Sequence, residues 1–199
     1  MSDPVQHLHV DAAGSAPALL LRPWEEGDLG WLAGAVRDPA LRRWTRLRWE
    51  SDADGRRWLE EQRHGWATGE RLAFAVLEKG ADGGADARPV GNVVLKRPGF
   101  DGTGAEVGYW TAASARGRGT APRAVAALTA WAFETFAADG LAHVALIHQV
   151  DNPASCRVAE KAGYPLADVL PPHPPYPLEG HLHIRNAAAD VNAPSGRAR

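Results

Sequence analysis

Apolar positions recur along this chain with two periods, and the places where the period changes mark out its elements. Leu19-Leu20-Leu21, ahead of Arg22-Pro23, reads as a short buried strand, because a brief continuous apolar run ended by a breaker fits a strand covered on both faces. Glu25-Glu26-Gly27-Asp28 then opens a helical stretch through about Val36. A second helix is expected from Asp52 to Ala67, where Trp58, Glu61/Gln62 and Trp66 recur at three- and four-residue spacing.

Strand signals follow. Leu72 to Leu77 and Val90 to Leu95 flank a glycine- and aspartate-rich turn from Gly80 to Ala87, which predicts a hairpin. A second turn, Gly99 to Gly104, leads into Ala105-Glu106-Val107-Gly108-Tyr109-Trp110, so three consecutive strands form an antiparallel meander. From Arg123 to Ala137 the period becomes helical through Val125, Leu128, Ala132 and Phe136, with Pro122 near the first turn, where its missing N–H costs little. Val144 to Val150 is another strand, and Pro153 to Ala162 a short helix ended by Gly163. Leu166 to Leu170 and His181 to Arg185 complete the strands, joined by the proline-rich PPHPPYPLEG.

The order predicts an α/β (α+β) chain with a mixed, mostly antiparallel sheet flanked by helices. At 199 residues one core suffices. Residues 1–17 and 187–199, rich in Ala, Gly, Ser and Pro, are expected to be flexible ends around a domain at 18–186.

Composition narrows the function. Apolar residues at 45% place the chain among globular proteins, and a net charge of -2 supplies no general attraction to a phosphate backbone, so nucleic acid is not an expected partner. Cys156 is the only cysteine, so neither an internal disulfide nor a thiolate zinc site is expected, and a reducing compartment is. No stretch reaches 18 uninterrupted apolar residues and the N-terminus lacks a signal-peptide core, so the expectation is a cytoplasmic protein without membrane contact.

The chemistry concentrates in Ala115-Arg116-Gly117-Arg118-Gly119-Thr120-Ala121-Pro122-Arg123, between a strand and a long helix. Glycines let such a loop turn tightly and leave backbone N–H groups uncovered, and the helix start adds partial positive charge, which suits a pyrophosphate. The same two glycines also fit an ordinary strand-to-helix connection.

The loop has the form Arg-x-x-Gly-x-Ala, from Arg116 through Gly119 to Ala121, and resembles the acetyl-CoA signature of the GNAT superfamily of N-acetyltransferases. Glu106-Val107-Gly108-Tyr109 before it and Asn152-Pro153-Ala154-Ser155 after it are most similar to the RimJ/RimL-like branch. That resemblance implies the GNAT fold and acetyl-CoA as donor, with CoA as product and no metal. It assigns the CoA pyrophosphate to Arg116, Gly117, Arg118, Gly119, Thr120 and Ala121, with Arg123 as a further phosphate contact. It assigns the pantetheine arm to the backbone of Tyr109, Trp110 and Thr111 and to Asn152, in a splay between the Glu106 and Val144 strands. Arg118 and Arg123 equally fit a solvated charged face, and Asn152 a helix cap.

Acetyl transfer requires a neutral amine and a proton for the departing thiolate. Glu106 matches the base position of several superfamily members, though an outward-facing strand carboxylate fits too. Where many relatives carry a tyrosine acid this chain has Ala159, so Ser155 is the candidate donor at sulfur, with capping of the helix start as its other reading. Cys156 and Tyr164 are read as packing residues. His181, His183 and His148 fall on neighbouring strands, but without a carboxylate at ligand spacing they are a weak metal signal, and none is expected.

The acceptor is an amine, either a peptide N-terminus or a small molecule, met by the region Trp24 to Trp66 and by Pro171 to Gly180. Of Trp31, Trp44, Trp49, Trp58 and Trp66, one or two are expected to line its pocket. The Arg42, Arg43, Arg46 and Arg48 cluster suits either a solvated face or an anionic acceptor. Monomer and homodimer both remain open. The alternatives are a longer acyl-CoA as donor and a non-catalytic CoA-binding regulatory protein.

Overall fold

The computed structural model describes residues 6–79, 87–99 and 103–187. Among these residues eight strands form one sheet: β1 (Leu8–Val10), β2 (Leu19–Pro23), β3 (Arg71–Glu78), β4 (Arg88–Lys96), β5 (Ala105–Thr111), β6 (His143–Gln149), β7 (Leu166–Leu170) and β8 (Gly180–Asn186). Their spatial order is β1-β2-β3-β4-β5-β6-β8-β7. Every neighbouring pair is antiparallel except β5 with β6. This is the mixed, mostly antiparallel sheet expected from the sequence.

Five helices cover it: α1 (Leu29–Ala35), α2 (Pro39–Trp44), α3 (Asp52–Thr68), α4 (Thr120–Thr135) and α5 (Pro153–Lys161). β3 shows why its sequence is an unbroken apolar run. Phe74 and Val76 pack with Leu128 and Tyr164 in one cluster, whereas Ala73, Ala75 and Leu77 pack with Leu32 and Leu59 in the other. Both faces of the strand are covered, so neither set of alternating positions meets water. On the second face Trp24, Trp31 and Trp110 stack with centroids 6.1–6.4 Å apart, and the buried Trp24 indole donates to Asn92 Oδ1 at 2.9 Å.

The helix ends follow local chemistry. α3 begins with a reciprocal Ser51/Asp54 cap, and α5 with Asn152 accepting from the Ser155 amide ahead of Pro153. Helix α2 is absent from the expectations above. Its signal is the pair Asp38-Pro39: Asp38 Oδ1 accepts from the Ala40 amide at 2.9 Å, and proline holds the first helical position.

Within the segment 1–17, expected to be a free end, residues 8–10 instead form strand β1. Leu8 and Val10 pack against the larger core, and Arg123 holds the following turn by donating to the carbonyls of Pro17, at 2.8 Å, and Asp11. An edge strand of three residues leaves little periodicity to read. The turn at 80–86 and the end at 188–199 lie outside the described residues, as do residues 100–102 of the second turn.

The pairing of β5 with β6 positions the site. Ala105, Glu106 and Val107 pair in parallel with Val144, Ala145 and Leu146, and then the strands part. Beyond Val107, the backbone of β5 on that side has no ladder partner in β6.

Candidate active site

A cavity of about 470 Å³ opens beside the end of β5, beyond the three residues that pair with β6. Its walls are α2 with Leu41 and Trp44, the end of β5, the loop entering α4, and the start of α5. Tyr109, Trp110, Thr111, Arg116, Gly117, Gly119, Thr120, Ala121, Asn152 and Ser155 all line it. Of the five tryptophans expected near an acceptor, Trp44 is the one at this cavity, and it is 36% exposed. The rest pack in the two cores.

The loop is shaped by Gly117 and Gly119, both at φ +77°, where any other residue is strained. Gly119 caps α4, so the amides of Thr120 and Ala121 start a 16-residue helix without intrahelical acceptors. Those amides and the positive end of the helix dipole offer an anion site. A Cβ on Gly117 or Gly119 would meet no protein atom within 4 Å, so the space above the loop is open. The loop thus fits a pyrophosphate on geometry alone.

Three arginines brace this backbone. Arg116 pairs with Asp38, the α2 cap, and donates to the Thr111 carbonyl at 3.1 Å, tying loop, β5 and α2 together. Arg118 pairs with Glu78 at 2.7 Å. Arg123 clamps the N-terminal turn. Arg118, Gly119, Arg123 and Lys161 also border a second cavity of about 320 Å³, which shares Gly119, Pro122 and Lys161 with the first.

At the other end of the main cavity the Tyr109 hydroxyl donates to Ser155 Oγ at 2.8 Å. Burial pushes the Tyr109 phenol up to about 12, against a smaller opposing effect of that hydrogen bond, so it remains a donor across neutral pH. Ser155 is itself buried, and because its oxygen already accepts from Tyr109, its own proton is free to point elsewhere. Sequence reasoning placed Tyr109 at the site for its backbone; the side-chain link to Ser155 joins residues 46 positions apart and leaves no local signal. Asn152 both lines the cavity and caps α5, through Oδ1 accepting from the Ser155 amide at 3.3 Å. Glu106 stands apart: it is ion-paired with Lys96 on the neighbouring strand and borders neither of these two cavities.

A family described as the acetyltransferase (GNAT) domain matches residues 18–165. The chain belongs to the GNAT acetyltransferases. It is thus an acetyl-CoA dependent N-acetyltransferase. The fold agrees with solved structures. Mycobacterium smegmatis RimJ, solved in complex with CoA-disulfide, superimposes with a TM-score of 0.68 at 21% identity over 93% of this chain and 88% of its own. RimL, a ribosomal-protein α-N acetyltransferase, gives 0.71 at 18% identity over 94% and 97%. A GNAT-family acetyltransferase from Bacillus anthracis gives 0.71 at 17% over 90% and 98%. No curated protein matches this chain.

One feature of this acetyltransferase is foreign to the cavity. Beneath α5, His148 of β6, His181 and His183 of β8 and Cys156 of α5 bring one ligand atom each to within 4.8 Å of one another. Burial, the largest influence on each, pushes His148 and His183 below the ordinary histidine value, against the raising effect of hydrogen bonds to the Gln149 and Tyr164 carbonyls. The strand register put the three histidines together as expected, and the missing fourth donor is Cys156, which the sequence suggested only as packing. Tyr164 is fully buried and bonded to Thr129.

Proposed function

We propose that this acetyltransferase moves acetyl to a primary amine, a peptide α-amine or a small-molecule amine, by direct attack. The observation that carries the proposal is that the α4 anion site and the Tyr109-held Ser155 hydroxyl line one cavity. When bound, acetyl-CoA supplies a thioester carbonyl open to attack and a thiolate to leave. The amides of the loop and of Thr120 and Ala121 hold the pyrophosphate, and Arg118, Arg123 and Lys161 at the adjoining cavity neutralise the remaining phosphate charge.

Backbone groups of Tyr109 to Thr111, unpaired by β6, orient the pantetheine and face the carbonyl oxygen where negative charge gathers. Asn152 contributes from the other bank. Ser155 gives its proton at the sulfur, and Tyr109 keeps the serine oxygen turned so that this proton faces the cavity. Glu106 takes the amine proton through water; it lies on the sheet face that also carries Trp110 and is ion-paired with Lys96. The acceptor enters past Trp44. Arg43, paired with Asp151 at 3.0 Å, and Arg46, over the Tyr176 ring at 5.6 Å, stand on the acceptor side of the protein. RimJ and RimL, by name ribosomal-protein enzymes in the latter case, support the peptide arm.

A panel of peptides and small amines with acetyl-CoA, followed by release of free thiol, tests this. Turnover on any amine with mass gain of one acetyl is the expected result. CoA binding without thiol release on every amine would replace the enzyme reading with that of a CoA-binding protein.

A further inference from the structure

We infer that His148, His181, His183 and Cys156 form a tetrahedral site for a zinc-class divalent cation. His148 Nε2 lies 3.3 Å from His183 Nε2, Cys156 Sγ lies 3.5 Å from His148 Nε2, and Cys156 Sγ lies 3.3 Å from His181 Nδ1. A tetrahedron with Zn–N near 2.0–2.1 Å and Zn–S near 2.3 Å has N···N edges of about 3.3 Å and N···S edges of about 3.6 Å. The His148–His183 and Cys156–His148 separations fall near those edges, the Cys156–His181 contact is shorter than its edge, and all four ligand atoms lie within 4.8 Å of one another.

Ring tautomers carry the inference further. His148 Nδ1 lies 2.8 Å from the Gln149 carbonyl and His183 Nδ1 lies 3.1 Å from the Tyr164 carbonyl. A carbonyl only accepts, so both Nδ1 atoms carry hydrogen and both Nε2 atoms present lone pairs. Two lone pairs then face each other at 3.3 Å, with a sulfur beside one of them. Such a contact is repulsive unless a proton or a Lewis acid sits between. Backbone carbonyls fixing the far ring nitrogen are also the usual outer partners of metal-bound histidine. Three imidazoles and one thiolate, without a carboxylate, select zinc-class cations over magnesium or calcium.

The site joins α5 to β6 and β8. Cys156 follows Ser155 directly, so the ion pins the helix turn that presents the serine to Tyr109, while its four ligands lie outside the donor cavity.

The single cysteine makes the test clean. Reduced full-length protein, stripped with chelator and titrated with Zn²⁺, should take up about one equivalent, and bound Zn²⁺ should slow alkylation of Cys156 by at least about tenfold, since the metal-held thiolate is no longer the nucleophile. Co²⁺ in its place should show intense tetrahedral visible bands and a thiolate-to-cobalt charge-transfer band. Cys156→Ser should lose that band, and His181→Ala should weaken Zn²⁺ by more than the roughly 10–100-fold expected for losing an outer partner. An alkylation rate indifferent to Zn²⁺, or an octahedral cobalt spectrum, measured on the wild-type chain, overturns the site. These readouts do not involve CoA, so they stand or fall apart from the acetyl-transfer proposal.

Discussion

Between Ala115 and Ala121 the acetyltransferase presents backbone, and beneath α5 it presents side chains drawn from three elements. The loop is local: the anion site proposed there is made by two glycine conformations and the first amides of one helix, with Arg116 and Arg118 ion-paired to Asp38 and Glu78 beside it. The corner under α5 is non-local, because His148, Cys156 and His181 meet only after β6, α5 and β8 have folded together. A backbone site tolerates most side-chain changes and fails at glycine. A side-chain site fails at each of its members.

The largest expected effect tests the backbone half. Gly119→Asp should abolish CoA binding in a folded protein: the new Cβ meets no protein atom, so the carboxylate occupies the open space over the loop, and the left-handed backbone adds strain of about 1–2 kcal/mol. Calorimetry on a variant with unchanged circular dichroism decides it; retained affinity would move the anion site off this loop. Gly119→Ala, with strain but no charge, should fall between the two.

Next in size is Glu106→Gln, with turnover down about 10²–10⁴ at neutral pH and CoA affinity little changed. Near-normal kcat would assign the proton to water, in keeping with the Lys96 pairing and with a Glu106 that lines neither cavity. Ser155→Ala should cost about tenfold in kcat, the scale of one neutral hydrogen bond of roughly 0.5–1.5 kcal/mol, with CoA bound as before. Full activity in that variant removes Ser155 from the proton path.

The smallest effect concerns Tyr109. Its phenol and that of Tyr164 are each pushed up to about 12 from 10.0, chiefly by burial, so the folded state holds those protons more tightly than the unfolded chain. The stability they contribute is complete below pH 10 and is lost as pH rises toward 12. Chemical denaturation across that window should show the decline, with a shallower slope in Tyr109→Phe. An identical slope would mean that the Tyr109 phenol is not held in the interior.

The same contrast explains what the sequence made legible. The sheet, the meander and α3 to α5 could be read because each is a run with its own period, and the loop because glycine and proline punctuate it. Asp38-Pro39 was a readable cap for α2, yet its six residues offer too little periodicity. β1 hid in a composition that resembles a tail. The Tyr109–Ser155 bond and the fourth ligand Cys156 depend on register and helix docking, which no short window contains.

The short parallel seam leaves the sheet a line of weakness. β4 shares six paired positions with β5, and β6 shares seven with β8, but β5 and β6 share three. A molecule that bound in that gap would act as a strut between the two banks, standing in for rungs the backbone never forms. Amide exchange along β5 and β6 should therefore report whether the strut is present. By mass action, a donor at a hundredfold its Kd adds about 2.7 kcal/mol to the fold. The lifetime of this protein against unfolding and proteolysis would then rise and fall with the supply of its own donor.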